Sequence, residues 1–234
     1  LIFIVPLYLV STPIGNREDL SARAQKTLLE ADLILCEDTR RTGYFLQSFG
    51  DKNKPLPPLL AFYEENERRK TPEIIRRLKE GQKIALVSSA GTPLISDPGF
   101  FLVREAIREG VEITAIPGPC AAITALILSG LPPDKFFFLG FLPKKEGKKR
   151  KIFEESAKIA LSPLSSTFIF YESPYRLEKT LSLMKEILGN PQVAVARELT
   201  KVHEEVVRGS LEEVFPKICG RKIKGEVVVC FCLN

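Results

Sequence analysis

Short runs of β-branched and other apolar residues alternate along the chain with stretches in which apolar positions recur every three or four residues. The first pattern occupies residues 7–11, 33–36, 83–88 and 112–116 and predicts strands. The second occupies residues 21–31, 71–80 and 98–109 and predicts amphipathic helices. Local chemistry marks the expected helix limits. Thr71-Pro72, Asp97-Pro98 and Ser173-Pro174 each place a capping residue before a proline suited to a first turn, and Gly81, Gly110 and Gly189 follow the last turns. Strand–helix alternation of this kind predicts an α/β fold, a mainly parallel sheet with helices on its faces.

The pattern resets after Leu131-Pro132-Pro133. A strand-like stretch, 135–141, leads into a charged segment, 143–151. A helix, a strand at 167–171, a helix at 174–188 and a strand at 192–196 follow, with two more strand-like pieces at 202–208 and 225–233. We expect two α/β domains, residues 1–131 and 132–234, with mainly parallel or mixed sheets.

Of the 234 residues, 44% are hydrophobic and 27% charged, which excludes a disordered or membrane-class chain. The longest apolar runs, 1–10 and 121–131, fall short of the about 20 residues a membrane span needs. Residues 1–10 lack a charged leader and do not read as a signal peptide. Five scattered cysteines without a C-x-x-C pair point to buried thiols in a reducing, cytoplasmic compartment, not to disulfides or zinc. With one histidine, His203, no His-rich metal centre is expected, and a Ser-His-Asp hydrolase would hang on that residue alone. The net charge of +5 is mild, so only its placement can speak for a polyanionic partner.

Four expected strands run into unusual loops: Thr12-Pro13-Ile14-Gly15-Asn16, Glu37-Asp38-Thr39-Arg40-Arg41, the stretch 89–99, and Pro117-Gly118-Pro119-Cys120. In an open α/β sheet such loops line one edge and form the ligand crevice. Glycine permits close backbone approach, proline stiffens the turn, and free N–H groups at a following helix start can hold a carboxylate. Small residues beside apolar ones suit an adenine and a sulfonium cation. The plainer reading is turn punctuation. Neither G-x-G-x-x-G nor G-x-x-x-x-G-K-[ST] occurs, so dinucleotide and P-loop phosphate binding lose support.

Ser11-Thr12-Pro13-Ile14-Gly15-Asn16, Glu37-Asp38-Thr39-Arg40, the stretch 90–99 (AGTPLISDPG) and Pro117-Gly118-Pro119-Cys120-Ala121-Ala122 resemble successive motifs of the bacterial ribosomal RNA small subunit methyltransferase I family, in the tetrapyrrole methylase superfamily. The likeness continues through Gly140-Phe141-Leu142-Pro143-Lys144, Phe170-Tyr171-Glu172-Ser173-Pro174, Ala196-Arg197-Glu198-Leu199-Thr200-Lys201 and Lys224-Gly225-Glu226. The resemblance implies two α/β domains, a homodimer, S-adenosylmethionine in an active cleft between the domains, and methylation of a cytidine ribose 2′-hydroxyl in small-subunit ribosomal RNA. The cofactor residues it implies are Pro13, Gly15, Ala90, Gly91, Thr92, Ile95, Gly118, Cys120, Ala121, Tyr171 and Ala196. The chain departs from the pattern at Ser89, where the family usually has Asp, and at Tyr63, Glu65 and Tyr175, where it often has His.

Methyl transfer to a ribose hydroxyl needs oxygen, methyl carbon and sulfur in line, and a group that helps the proton leave. Glu37, Asp38, Arg40, Glu172, Arg197, Glu198 and Lys201 are the candidates, with Asp38, Glu198 and Lys201 foremost as catalytic groups. Against this, Glu37-Asp38-Thr39-Arg40 also reads as a capped helix start, and Arg197-Glu198 as a structural ion pair. His203 reads as a structural residue on a strand face. Lys144, Lys145, Lys148, Lys149, Arg150 and Lys151 crowd eight positions with only Glu146 opposing them. With Arg40 they form a candidate phosphate-contacting surface for ribosomal RNA or an assembled small subunit, the alternative being a solvated loop. Phe136-Phe137-Phe138 reads as strand core. A methyltransferase acting on a tetrapyrrole or other small molecule, such as a diphthamide intermediate, and a non-catalytic RNA-binding assembly factor remain as alternatives.

Overall fold

The computed structural model describes residues 5–162 and 166–233. Packing divides the chain into two compact units that meet between Cys120 and Ala121. The first unit holds β1 (Leu7–Val10), α1 (Ala22–Leu29), β2 (Leu33–Cys36), α2 (Thr39–Gln47), β3 (Leu59–Ala61), α3 (Glu64–Lys79), β4 (Ile84–Val87), α4 (Phe100–Arg108) and β5 (Ile113–Ile116). Its five strands are all parallel, in the order β3-β2-β4-β1-β5. Both faces of this sheet are covered. One core gathers Leu7, Leu35, Leu86 and Leu102, the other Val10, Ile34, Ala85 and Leu28. That two-sided burial is why β2 and β4 read as unbroken apolar runs and not as alternating ones.

The second unit holds α5 (Ala121–Ser129), β6 (Phe136–Phe141), α6 (Glu146–Ala160), β7 (Thr167–Glu172), α7 (Pro174–Leu188), β8 (Gln192–Arg197), β9 (Glu205–Ser210), α8 (Leu211–Ile218) and β10 (Val227–Cys232). Its sheet is mixed, in the order β6-β7-β10-β8-β9, and only β6 and β7 run parallel. Phe153, Phe168, Phe170 and Phe231 stack in its core. Helix α5, which the sequence pattern grouped with the first half, packs on β10, β8 and β7 of the second.

Several helix limits differ from expectation. Helix α3 starts at Glu64, not at Thr71, so Pro72 lies inside it. Asn66 Oδ1 accepts from the Tyr63 amide at 3.0 Å and fixes the true start, where Glu64, Glu65 and Glu67 favour the positive end of the helix dipole. Helix α4 is capped by Gly99 and not by Asp97. Gly99 has φ +125°, and a Cβ there would lie 2.6 Å from Leu86 Cδ2, so only glycine fits. The Ser173-Pro174 start and Gly189 end of α7 match the pattern. The helix expected after the charged segment 143–151 already begins inside it, at Glu146.

Candidate active site

Residues Val10, Val87 and Ile116 share one row of the first sheet, so the chain leaves β1, β4 and β5 side by side. The three loops that follow are tied together. Thr12 and Gly91 exchange backbone hydrogen bonds of 2.9 and 3.0 Å. The Ser11 hydroxyl donates to Thr92 Oγ1 at 3.1 Å, and Thr92 donates to the Pro119 carbonyl at 2.9 Å. The Thr12 and Ser88 hydroxyls close the knot on the carbonyls of Ser88 and Gly91. Glycine is required at two points. Gly91 has φ +86°, and a Cβ on Gly118 would sit 2.8 Å from Ser11 Cβ. The fourth loop joins through Glu37, whose Oε1 accepts from the Ser89 amide at 3.1 Å and the Ser89 hydroxyl at 2.9 Å. Ser89, the departure from the family pattern, thus acts as a donor holding a carboxylate where an aspartate would repel it.

Pro13, Gly15, Ala90, Gly91, Thr92, Ile95, Gly118 and Cys120 lie on these loops of the first unit. Ala121, Tyr171 and Ala196 belong to the second. Tyr171 and Ala196 stand level with each other across Val228 of β10. Phe138 and Phe141 meet the Tyr171 ring edge-on at 5.0 and 5.2 Å.

The expected catalytic groups are engaged with other partners. Asp38 caps α2, its Oδ1 accepting from the Arg40 and Arg41 amides at 2.9 and 3.2 Å. Lys201 Nζ donates to Glu198 Oε1 at 2.8 Å and lies 3.1 Å from Glu226 Oε2. The hydrogen bond from Lys201 holds the Glu198 carboxyl below its ordinary range. Burial works to lower the Lys201 ammonium, but the hydrogen bonds from Glu198 and Glu226 outweigh it and the group is raised. The lowered Glu198 carboxylate is a weak base, and Lys201, held protonated, accepts no proton and stands as a fixed cation. The backbone here is unusual, with φ +49° at Glu198 and +62° at Thr200. Arg197 pairs with Glu205 at 2.6 Å and not with Glu198. His203 is exposed in the turn before β9, not on a strand.

Lys149 is a correction to the basic surface. It is buried, with Nζ 3.2 Å from Glu172 Oε2 and 2.5 Å from Thr180 Oγ1, so it braces the core of the second unit instead of reaching phosphate. The rotation of α6 puts it there: Lys149 shares the inward face with Phe153 and Ser156. Arg150 pairs with Glu186 at 2.8 Å. Lys144, Lys145, Lys148 and Lys151 are exposed, as is Arg40, and none of them forms an ion pair among the described residues. Phe136 and Phe137 are 42% and 38% exposed on an edge strand, not core as expected.

The sequence pattern treated Asp97 only as a helix cap. Burial, then the charge of Glu37, pushes its carboxyl up to about 6. Its place in the longest of the four loops was the signal in the sequence. Among the described residues no group of three His, Cys, Asp or Glu side chains could hold a metal, and no helix is long and apolar enough to cross a membrane. None of the five cysteines forms a disulfide, and burial pushes the Cys230 thiol up to about 12, far from a reactive thiolate.

The sequence profile of the tetrapyrrole (corrin/porphyrin) methylases matches residues 6–214. A Halalkalibacterium halodurans protein named ribosomal RNA small subunit methyltransferase I is 49% identical over 97% of this chain and 74% of its own length. Its namesake from Thermotoga maritima is 47% identical over 95% and 96%. Among solved structures, a diphthine synthase superposes with a TM-score of 0.70 at 13% identity, covering 97% of this chain and 90% of that one. Uroporphyrin-III-C-methyltransferase from Thermus thermophilus gives 0.61 at 20%, covering 96% and 93%. At such identities these two likenesses concern the fold alone.

Proposed function

Because the chain belongs to the tetrapyrrole methylase family, and within it to the ribosomal RNA small subunit methyltransferase I group, we propose that it methylates small-subunit ribosomal RNA at a cytidine ribose 2′-hydroxyl, with S-adenosylmethionine as donor. The observation that supports this reading most is the knot of strand-end loops around Gly91 and Gly118. Its chemistry suits the donor. Proline, alanine and glycine at Pro13, Ala90, Gly91 and Gly118 give an apolar, close-approach surface for an adenine, and backbone groups supply its polar contacts.

When bound, S-adenosylmethionine supplies an electrophilic methyl group on a sulfonium. The chain's own part is to align the hydroxyl and manage charge and proton. Lys201, held as an ammonium by Glu198 and Glu226, is suited to orient the incoming hydroxyl or a neighbouring phosphate. Lys144, Lys145, Lys148 and Lys151 are suited to backbone phosphates. Lys145 and Lys148 stand at the positive end of α6, where like charge disfavours the helix. Exposed cations set there are placed for a polyanionic partner. We further propose a cytoplasmic homodimer, which sedimentation of the purified chain would test.

The deciding experiment measures labelled methyl transfer to small-subunit particles from a strain lacking this activity, with naked ribosomal RNA and a tetrapyrrole in parallel. Transfer to particles or RNA is expected. Transfer to the tetrapyrrole alone would replace the substrate, and cofactor binding without transfer to any of the three would leave an assembly factor.

A further inference from the structure

Beside the loop knot, the first unit carries a cavity of about 680 Å³, within the range of small-molecule sites. Its walls include Glu37, Tyr63, Arg68, Asp97, Phe100 and Arg104. Three kinds of group meet there. Tyr63 and Phe100 present rings that are 41% and 67% exposed. Arg68 and Arg104 hold their guanidinium groups 5.0 and 5.1 Å from the Phe101 ring centroid. Arg68 makes no ion pair among the described residues, and Arg104 has only a loose contact of 3.6 Å with its neighbour Glu105. The carboxyls of Glu37 and Asp97 share the lining with three further acids, Glu64, Glu65 and Glu67; the Leu102 amide donates to Glu67 Oε1, and the Ser89 amide and hydroxyl donate to Glu37 Oε1.

Stacking rings, cations set on an aromatic platform and the neighbouring carboxyls of Glu37 and Asp97 match the three parts of a nucleotide: base plane, phosphate and base edge. We propose that this cavity seats a nucleotide of the RNA substrate and selects a base that bears an exocyclic amino group next to a ring-nitrogen acceptor. The proposal rests on the RNA reading above and names the residues that would read the base. Glu37 accepts from the amino group, and Asp97 in its protonated form donates to the ring nitrogen. The raised carboxyl of Asp97 supports that form near neutral pH. Uracil is disfavoured because its O4 would face the Glu37 carboxylate, acceptor against acceptor. Tyr63 or Phe100 stacks on the base, and Arg68 and Arg104 take the flanking phosphate. Because Glu37 is tied to Ser89, one residue before Ala90, a base held there adjoins the proposed methyl-donor loops.

The test compares cytidine and uridine 5′-monophosphates by NMR titration of the full chain, and methyl transfer to small-subunit particles, in the wild type, Glu37→Gln and Phe100→Ala. Glutamine can keep the bond to Ser89 through its carbonyl while turning the other position from acceptor to donor. We expect the wild type to bind the cytidine nucleotide at least about tenfold more tightly than the uridine one. In Glu37→Gln that preference is lost or reversed. In Phe100→Ala both nucleotides weaken by about tenfold. Both variants keep wild-type S-adenosylmethionine affinity and thermal midpoint, which separates base reading from misfolding. Equal binding of both nucleotides by the wild type overturns the proposal. So does a Glu37→Gln enzyme that keeps the preference, or variants that transfer methyl to particles at the wild-type rate. A wild type that transfers no methyl to particles or RNA instead defeats the RNA reading itself.

Discussion

At the scale of single residues, the buried and half-buried charges give the sharpest expectations. Asp97 has a folded-state pKa of about 6, against about 4 for an unfolded aspartate. A carboxyl raised on folding costs stability once it ionises. The cost is absent below about pH 4, grows between the two values and is complete above about pH 6. Asp97→Asn is therefore expected to stabilise the protein at pH 8 by about 1–2 kcal/mol, discounted for partial exposure, and to change nothing at pH 4. Thermal midpoints at the two pH values check this, and a variant less stable than wild type at pH 8 would refute it. Lys149 gives the opposite case. Lys149→Met leaves Glu172 buried with Arg176 as its remaining cation, and should cost about 3 kcal/mol in urea unfolding. The double variant Lys149→Met/Glu172→Leu should recover most of that. A double variant no better than the single would mean that packing, not the stranded charge, sets the cost.

At the scale of elements, α2 separates two roles for one residue. Asp38→Ala removes the cap and should cost about 1 kcal/mol, whereas Asp38→Asn keeps an acceptor for the Arg40 and Arg41 amides and should keep the stability. If Asp38 serves only as a cap, Asn also keeps methyl transfer. An Asn variant that is stable yet inactive would restore the catalytic reading. The start of α6 offers the second element test. Each phosphate neutralised contributes a slope of about −0.7 to −0.9 in log affinity against log salt. Replacing Lys145, Lys148 and Lys151 by Gln should flatten the slope for RNA by roughly two to three units if all three meet phosphate. Because a cationic first turn opposes the helix dipole, the same triple variant should not lose stability. An unchanged slope would return these lysines to a solvated surface. The helix also shows what a charge run hides. Six basic residues look equivalent in line, but a turn every 3.6 residues sends Lys149 inward and turns Arg150 toward Glu186.

At the scale of the whole molecule, a metal-free site is expected, so chelation with EDTA should leave cofactor affinity and methyl transfer unchanged; loss of either would require a metal in the site. What the sequence by itself determined is the strand–helix alternation of an α/β fold and the unusual loops after four of its strands, whereas β3, α5 and α8 carried no expectation of their own. The alternation and the loops follow from periodicity and turn chemistry, which act between residues close in the chain. Strand β2 and helix α7 lie at the residues that their patterns predicted. The expected start of α3 at Thr71-Pro72 failed because a cap signal is local and a stronger one, Asn66 with the acidic first turn, lay upstream. Only the tertiary structure decided which charges are partnered. Lys149 meets Glu172 across 23 positions and Thr180 across 31, Ser89 meets Glu37 across 52, and Thr92 meets Ser11 across 81. Burial and partners so distant set whether a lysine is a brace or a phosphate ligand, and whether a carboxyl is a cap or poised near neutrality. Those energies arise where the sheet brings remote loops to one edge, and no local pattern of residues encodes them.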